Sequence, residues 1–156
     1  MTGRAEVHRL RQVLDATFRR AARVGSDLEL QSDFARYLCV LVSGFFEKAI
    51  TELILEHSRR QASPSIQRFV EFRVQRLTNV NASRLIETLG AFDPEWQRDL
   101  ESFVVDEKKD ALDSIVGLRN TISHGGSVGV TLVRVKGYYE YILLIVDHIA
   151  DLCAPL

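Results

Sequence analysis

The apolar positions of this chain recur at intervals of three and four residues almost from end to end, so the pattern predicts helices throughout. The first runs from Gly3 to Val24, with Val7, Leu10, Val13, Leu14 and Phe18 on one side and Gly25 closing it. The longest starts at Leu28 or Asp33 and reaches Arg60. In it Phe34, Leu38, Leu41, Phe45, Ala49 and Leu53 form one stripe and Val42, Phe46, Ile50 and Ile54 a second beside it. A helix apolar over so much of its circumference belongs at the centre of a core. Midway along it, Ser43-Gly44 predicts either the close approach of a neighbouring helix or a bend.

Ser63 caps and Pro64 opens a third helix reaching Leu77. Asn79-Val80-Asn81 turns the chain into a short helix ending at Gly90, and Asp93-Pro94 opens another through Val104. A helix from Asp106 to Ser123 carries Leu112, Ile115, Val116, Leu118 and Ile122 on one arc and stops at Gly125-Gly126. Thr131 caps the last helix, which runs to Leu152 with Val135, Tyr138, Tyr139, Ile142, Ile145, Val146 and Ile149 facing inward. Thr131 to Val135 is also rich in β-formers, the one place where a short extended segment competes. The fold class read from this pattern is all-α.

Length and composition, 156 residues of which 46% are hydrophobic and 26% charged, predict one globular domain over 1–156 with an ordinary core. A net charge of -1 excludes a polycation that coats nucleic acid indiscriminately, so any such contact must be local. The outer face of the basic N-terminal helix, 3–24, sets Arg4, Arg9, Arg11, Arg19, Arg20 and Arg23 against Glu6 and Asp15. Such a face is either solvated or turned toward RNA. Arg59, Arg60, Arg68, Arg73 and Arg76 against Glu71 make a second basic zone, the place to look for phosphate contacts. From Glu87 to Asp113 nine acids stand against Arg98, Lys108 and Lys109, a solvated face or one for a basic partner.

Cys39 and Cys153 lack CxxC or Cys/His ligand spacing, which predicts reduced thiols, no metal site and no cofactor. The longest uncharged apolar run, Tyr37 to Phe46, is far shorter than the roughly 20 residues a membrane span needs. No signal-peptide core opens the chain, so the expected location is cytoplasmic, without a membrane partner.

The candidate chemistry sits where the sixth helix ends. Arg119 falls inside the apolar arc, and a guanidinium cannot shed its proton, so it needs a carboxylate, carbonyls or a bound anion. A structural ion pair and an anion site both remain open, because the same projection places Arg73 between Ile66 and Phe69. His124 lies five positions on, roughly 140° around an ideal helix, and unwinding of the last turn would bring it back beside Arg119. A histidine as general acid or base with an arginine to hold phosphate oxygens suits phosphodiester cleavage without a metal. Glu47, a carboxylate in the most apolar helix, should pair with an arginine. His8 and His148 have no such setting and are expected to be surface or packing residues.

Arg119, the polar Asn120, three more residues and His124 resemble the R-x4-6-H motif of the HEPN superfamily, helical domains that include many metal-independent RNases. Phe45-Phe46-Glu47, Leu118-Arg119-Asn120 through His124-Gly125, and Tyr138-Tyr139-Glu140 are similar to its RiboL-PSP-HEPN branch, over roughly 34–152. The resemblance implies an up-and-down helical bundle with additional short helices, forming a homodimer in which two motifs face each other. It assigns His124 the proton transfers, Arg119 the scissile phosphate and Asn120 the orientation of either, with Glu47, Arg59, Arg60 and Arg73 in support. It further implies RNA as substrate, a 2′,3′-cyclic phosphate product, and a toxin or phage-defence role restrained by a cognate antitoxin or regulatory protein. The competing expectation is a non-catalytic HEPN-like module for protein interaction or nucleotide binding, which the acidic stretch from Glu87 would suit.

Overall fold

The computed structural model describes residues 2–153, and among these residues it contains seven helices and no strand. They are α1 (Gly3–Ala21), α2 (Leu28–Gln61), α3 (Pro64–Val74), α4 (Ala82–Gly90), α5 (Pro94–Phe103), α6 (Asp106–Ser123) and α7 (Leu132–Cys153). Short polar side chains begin most of them. Thr2 accepts from Ala5 N–H, Asp27 from Leu30, Asn81 from Arg84, Asp93 from Glu95 and Thr131 from Arg134, each taking up a donor that the helix itself cannot satisfy. Ser63 stands at the N-cap of α3 but accepts from no helical N–H; its hydroxyl faces that of Ser65 instead. Thr131 to Val135 is capped and helical, not extended, because the apolar spacing of three and four continues through it.

Four long helices build the core. At 34 residues α2 is about 51 Å long, and it packs against α1, α3, α6 and α7. Helices α6 and α7 pack on each other, and α1 also touches α7. Phe46, Ile50, Leu112, Ile115, Ile142 and Ile145 are fully buried where these helices meet, each contributing about 1.5–3 kcal/mol by leaving water. Tyr139 stacks on Phe18 at 4.8 Å between ring centroids and meets the edge of Phe45 at 6.0 Å, so this tyrosine is a core residue. Its hydroxyl donates to Asp15 at 2.6 Å; burial together with that bond pushes its pKa above the usual tyrosine value.

Helices α4 and α5 pack on each other beside this bundle, and the backbone N–H of Ala82 donates to Asp113 on α6 at 2.9 Å. That bond fixes where α4 starts relative to α6. Ser43-Gly44 was expected either to admit a neighbouring helix or to mark a bend; at Gly44 no neighbour approaches, since it is exposed and nothing lies within 4 Å of where its Cβ would stand. The close approach occurs at Gly3, where a Cβ would meet Glu56 and the carbonyl of Glu52. Burial pushes the thiols of Cys39 and Cys153 up to about 11 and about 12, and both are free and shut inside the core. Among the described residues no helix is long and apolar enough to cross a membrane.

Candidate functional site

The last turn of α6 and the turn between α3 and α4 make the site. Helical bonding persists to the end of α6, where His124 N–H donates to the Asn120 carbonyl at 3.1 Å. Gly125 N–H then bonds Ile122 O at 3.1 Å and Gly126 N–H bonds Thr121 O at 2.8 Å, the paired closure of a Schellman motif. Gly125 holds φ at +77°, a conformation that strains any side chain. A Cβ on Gly126 would stand 2.6 Å from Thr121 Cγ2. Both glycines are thus required by the turn that stops the helix at His124.

The expected unwinding of the final turn does not occur. Because the turn stays wound, Arg119 and His124 leave the helix on azimuths roughly 140° apart, and no hydrogen bond joins them among the described residues. His124 is exposed and its ring has no hydrogen-bond partner among those residues. Asn120 is half-buried one turn earlier, on the same helix end.

Arg119 is half-buried, and its Nη1 donates to the side-chain oxygen of Asn79 at 2.7 Å. The backbone N–H of Asn79 donates in turn to Glu47 Oε1 at 2.9 Å. Glu47 therefore reaches Arg119 through Asn79, not by the direct ion pair expected of it. It is also only half-buried, since that face of α2 looks onto the α3–α4 turn. The buried carboxylate of α2 is Glu56, which takes the Arg4 backbone N–H at 3.3 Å and Arg60 at 2.8 Å. Asn79 sits at φ +54°, left-handed backbone that asparagine tolerates better than other non-glycine residues. Its amide oxygen is neutral, so the bond orients the guanidinium without neutralising it.

Sequence reasoning read Asn79 as a turn residue only. A turn asparagine able to adopt left-handed backbone was the available signal, but its partners lie 32 and 40 positions away. The supporting arginines separate. Arg60 is spent on Glu56, Arg59 is exposed, and Arg73 lines a groove between α3 and α4. The other histidines have different occupations. His57 bonds the Cys153 carbonyl at 3.0 Å and meets the edge of Trp96; His148 bonds Asp99 and stacks on Phe103 at 3.8 Å; His8 is exposed on α1. Among the described residues no group of three His, Cys, Asp or Glu side chains is arranged to hold a metal ion.

The corner thus offers a fixed positive charge with no direct ion-pair partner, and an imidazole with no hydrogen-bond partner, among the described residues, at one exposed helix end. A model of the RiboL-PSP-HEPN family matches residues 8–154, nearly the whole chain. No curated protein and no solved structure matches it. The chain belongs to the RiboL-PSP-HEPN family, whose wider HEPN group is all-α, commonly acts as RNases, and often binds RNA and dimerises.

Proposed function

We propose that this RiboL-PSP-HEPN chain is a metal-independent endoribonuclease of HEPN type, acting as a homodimer with a composite active site, as a toxin or in phage defence. The observation that carries the reading is the state of Arg119: a guanidinium held by an amide keeps its charge for an incoming phosphate. In the reaction the ribose 2′-oxygen loses its proton to a base and forms a bond to phosphorus. The bond from phosphorus to the 5′-oxygen breaks, and an acid protonates that leaving oxygen. The products are a 2′,3′-cyclic phosphate and a 5′-hydroxyl, with nothing oxidised or reduced.

One imidazole serves one of these transfers at a time. Two copies of α6 facing each other bring two, and they remove the need for Arg119 and His124 of the same chain to converge. Arg119 stabilises the charge that develops on the phosphorane oxygens, and Asn120 orients phosphate or imidazole from the same turn. Glu47 acts one step back, fixing the backbone of Asn79. RNA is the substrate, and a cognate antitoxin or regulatory protein is the expected restraint.

The test is incubation of the purified chain with total RNA in EDTA, beside the His124→Ala protein, followed by analysis of fragment ends. Cleavage that resists EDTA, ends in cyclic phosphate and disappears in the variant is the expected result. A folded dimer that leaves RNA intact would move the reading to a non-catalytic interaction or nucleotide-binding module.

A further inference from the structure

Beside this corner, α3 and α4 enclose a groove of about 810 Å³ whose walls do not follow the usual rule for an amphipathic helix. Of the side chains of α3 only Val74 is buried, whereas Phe69 and Phe72 are 62% and 52% exposed. Phe92, just beyond α4, is 38% exposed on the same groove. Arg73, Arg76 and Arg84 stand among these rings, with Glu87 as an acid on the wall. Arg73 and Arg84 have no ion-pair or hydrogen-bond partner for their guanidinium groups among the described residues. Arg76 lies over Phe72 with Cζ 3.9 Å from the ring centroid, which leaves its in-plane N–H groups free to reach outward.

An apolar groove by itself would select no occupant, but these walls do. Flat exposed rings offer the faces on which unpaired bases stack, and uncompensated arginines between them offer the charge that phosphates require. The groove also lies close in the chain to the candidate site. Leu77 lines it, and Asn79, which holds Arg119, is two residues further on, a chain distance of at most about 7 Å. We infer that this groove binds a single-stranded segment of RNA, with bases on Phe69 and Phe92 and phosphates on Arg73, Arg76 and Arg84. The strand is then led toward Arg119. The inference rests on the ribonuclease reading for the identity of the strand. A duplex is not the fit, because its bases are already stacked on one another and it presents backbone and shape instead.

The test measures anisotropy of a short fluorescein-labelled single-stranded RNA, and of the same strand annealed to its complement, with the full His124→Ala chain so that nothing is cut. Phe69→Ala in that background weakens binding of the single strand roughly 10-fold, the order of one base stacked on an aromatic ring. Arg73→Ala and Arg84→Ala each flatten the slope of log affinity against log salt by about 0.7. The duplex binds more weakly than the single strand and responds less to Phe69→Ala. All three side chains project to solvent, and circular dichroism confirms that helix content is kept.

Single-strand affinity and salt slope equal to the parent in Phe69→Ala and Arg84→Ala would overturn the groove, even if the wild-type chain cuts RNA. Loss of binding in them upholds the groove, even if no RNA is ever cut, so the two readings fail separately. Groove substitutions that turn a dimer into a monomer in sedimentation, with the salt slope unchanged, would give this face to a second copy of the chain and overturn the RNA assignment.

Discussion

The chain has two arginine-rich surfaces, and they differ in what their charges are doing. On α1, Arg4 bonds Asp151 and the Ala150 carbonyl, both at 3.0 Å, Arg11 stands 3.7 Å from Asp147, and Arg9 is closed onto Glu6 at 2.6 Å. Two of these join α1 to α7, so on this half of the helix the charge is consumed in holding helices together; toward its C-terminal end Arg20 bonds only the Thr17 hydroxyl, and Arg19 and Arg23 have no carboxylate partner among the described residues. Around the α3–α4 turn, Arg73 and Arg84 have no ion-pair partner among the described residues, Arg76 lies on a ring, and Arg119 is held by an amide oxygen. Equal counts of arginine in a sequence therefore do not mean equal attraction for an anion. What matters is whether each guanidinium already has a negative partner.

The sharpest way to break that contrast is at Arg119. Arg119→Ala should lower RNA cleavage by roughly 10²–10³-fold, the scale of losing one charge-stabilising donor, with helix content kept. Arg4→Ala should leave the cleavage rate where it is. Equal loss in both would mean that the two surfaces do not differ in function. Next in size is Asn79. Replacing it with glycine keeps the left-handed backbone and removes only the acceptor, so cleavage should fall about 10-fold, the worth of one hydrogen bond to a charged group. Asn79→Asp, which restores an oxygen acceptor but pairs Arg119 with a negative charge, should keep the guanidinium in place yet leave cleavage low, while Asn79→Ala adds about 1 kcal/mol of backbone strain measurable in urea unfolding.

A smaller effect separates the surfaces by stability. Arg4→Ala should cost about 1 kcal/mol, from an exposed ion pair and a bond to a backbone carbonyl, while the salt dependence of RNA affinity stays as in the parent. The smallest concerns Tyr139, which ties α7 to Asp15 on α1 without any arginine. Its folded pKa lies above the unfolded value, so its contribution is complete below pH about 10 and is lost as the pH rises beyond that. Urea midpoints of the wild-type chain should therefore fall at alkaline pH, and those of Tyr139→Phe should fall less.

Much of the architecture was legible because it is local. Periodicity and caps placed every helix, with the largest overruns at Val24 and Leu77, where the last turn tightens to bonds three residues apart, Val24 N–H to Ala21 O and Leu77 N–H to Val74 O. The family motif singled out Arg119 and His124 as candidates, and the two glycines after them do stop the helix. What stayed hidden depends on residues far apart in sequence. Asn79 as the link between Glu47 and Arg119 follows from how α3 and α4 fold back over α2 and α6, which no local spacing encodes. Glu47 was expected to be buried because α2 is apolar nearly all round; the turn above it leaves that side half-open. The Arg60–Glu56 pair, by contrast, is a one-turn helical pair that the sequence already contained.

Cys39 and Cys153 give these experiments a practical opening. A thiol reagent attacks the thiolate, and in this fold both native thiols are sealed in the core with that form suppressed. To a maleimide dye at neutral pH the folded chain should behave as if it had no cysteine. A single cysteine placed at an exposed position such as Val133 would then carry the only label, and the wild-type sequence would need no other change before optical measurements on the folded protein.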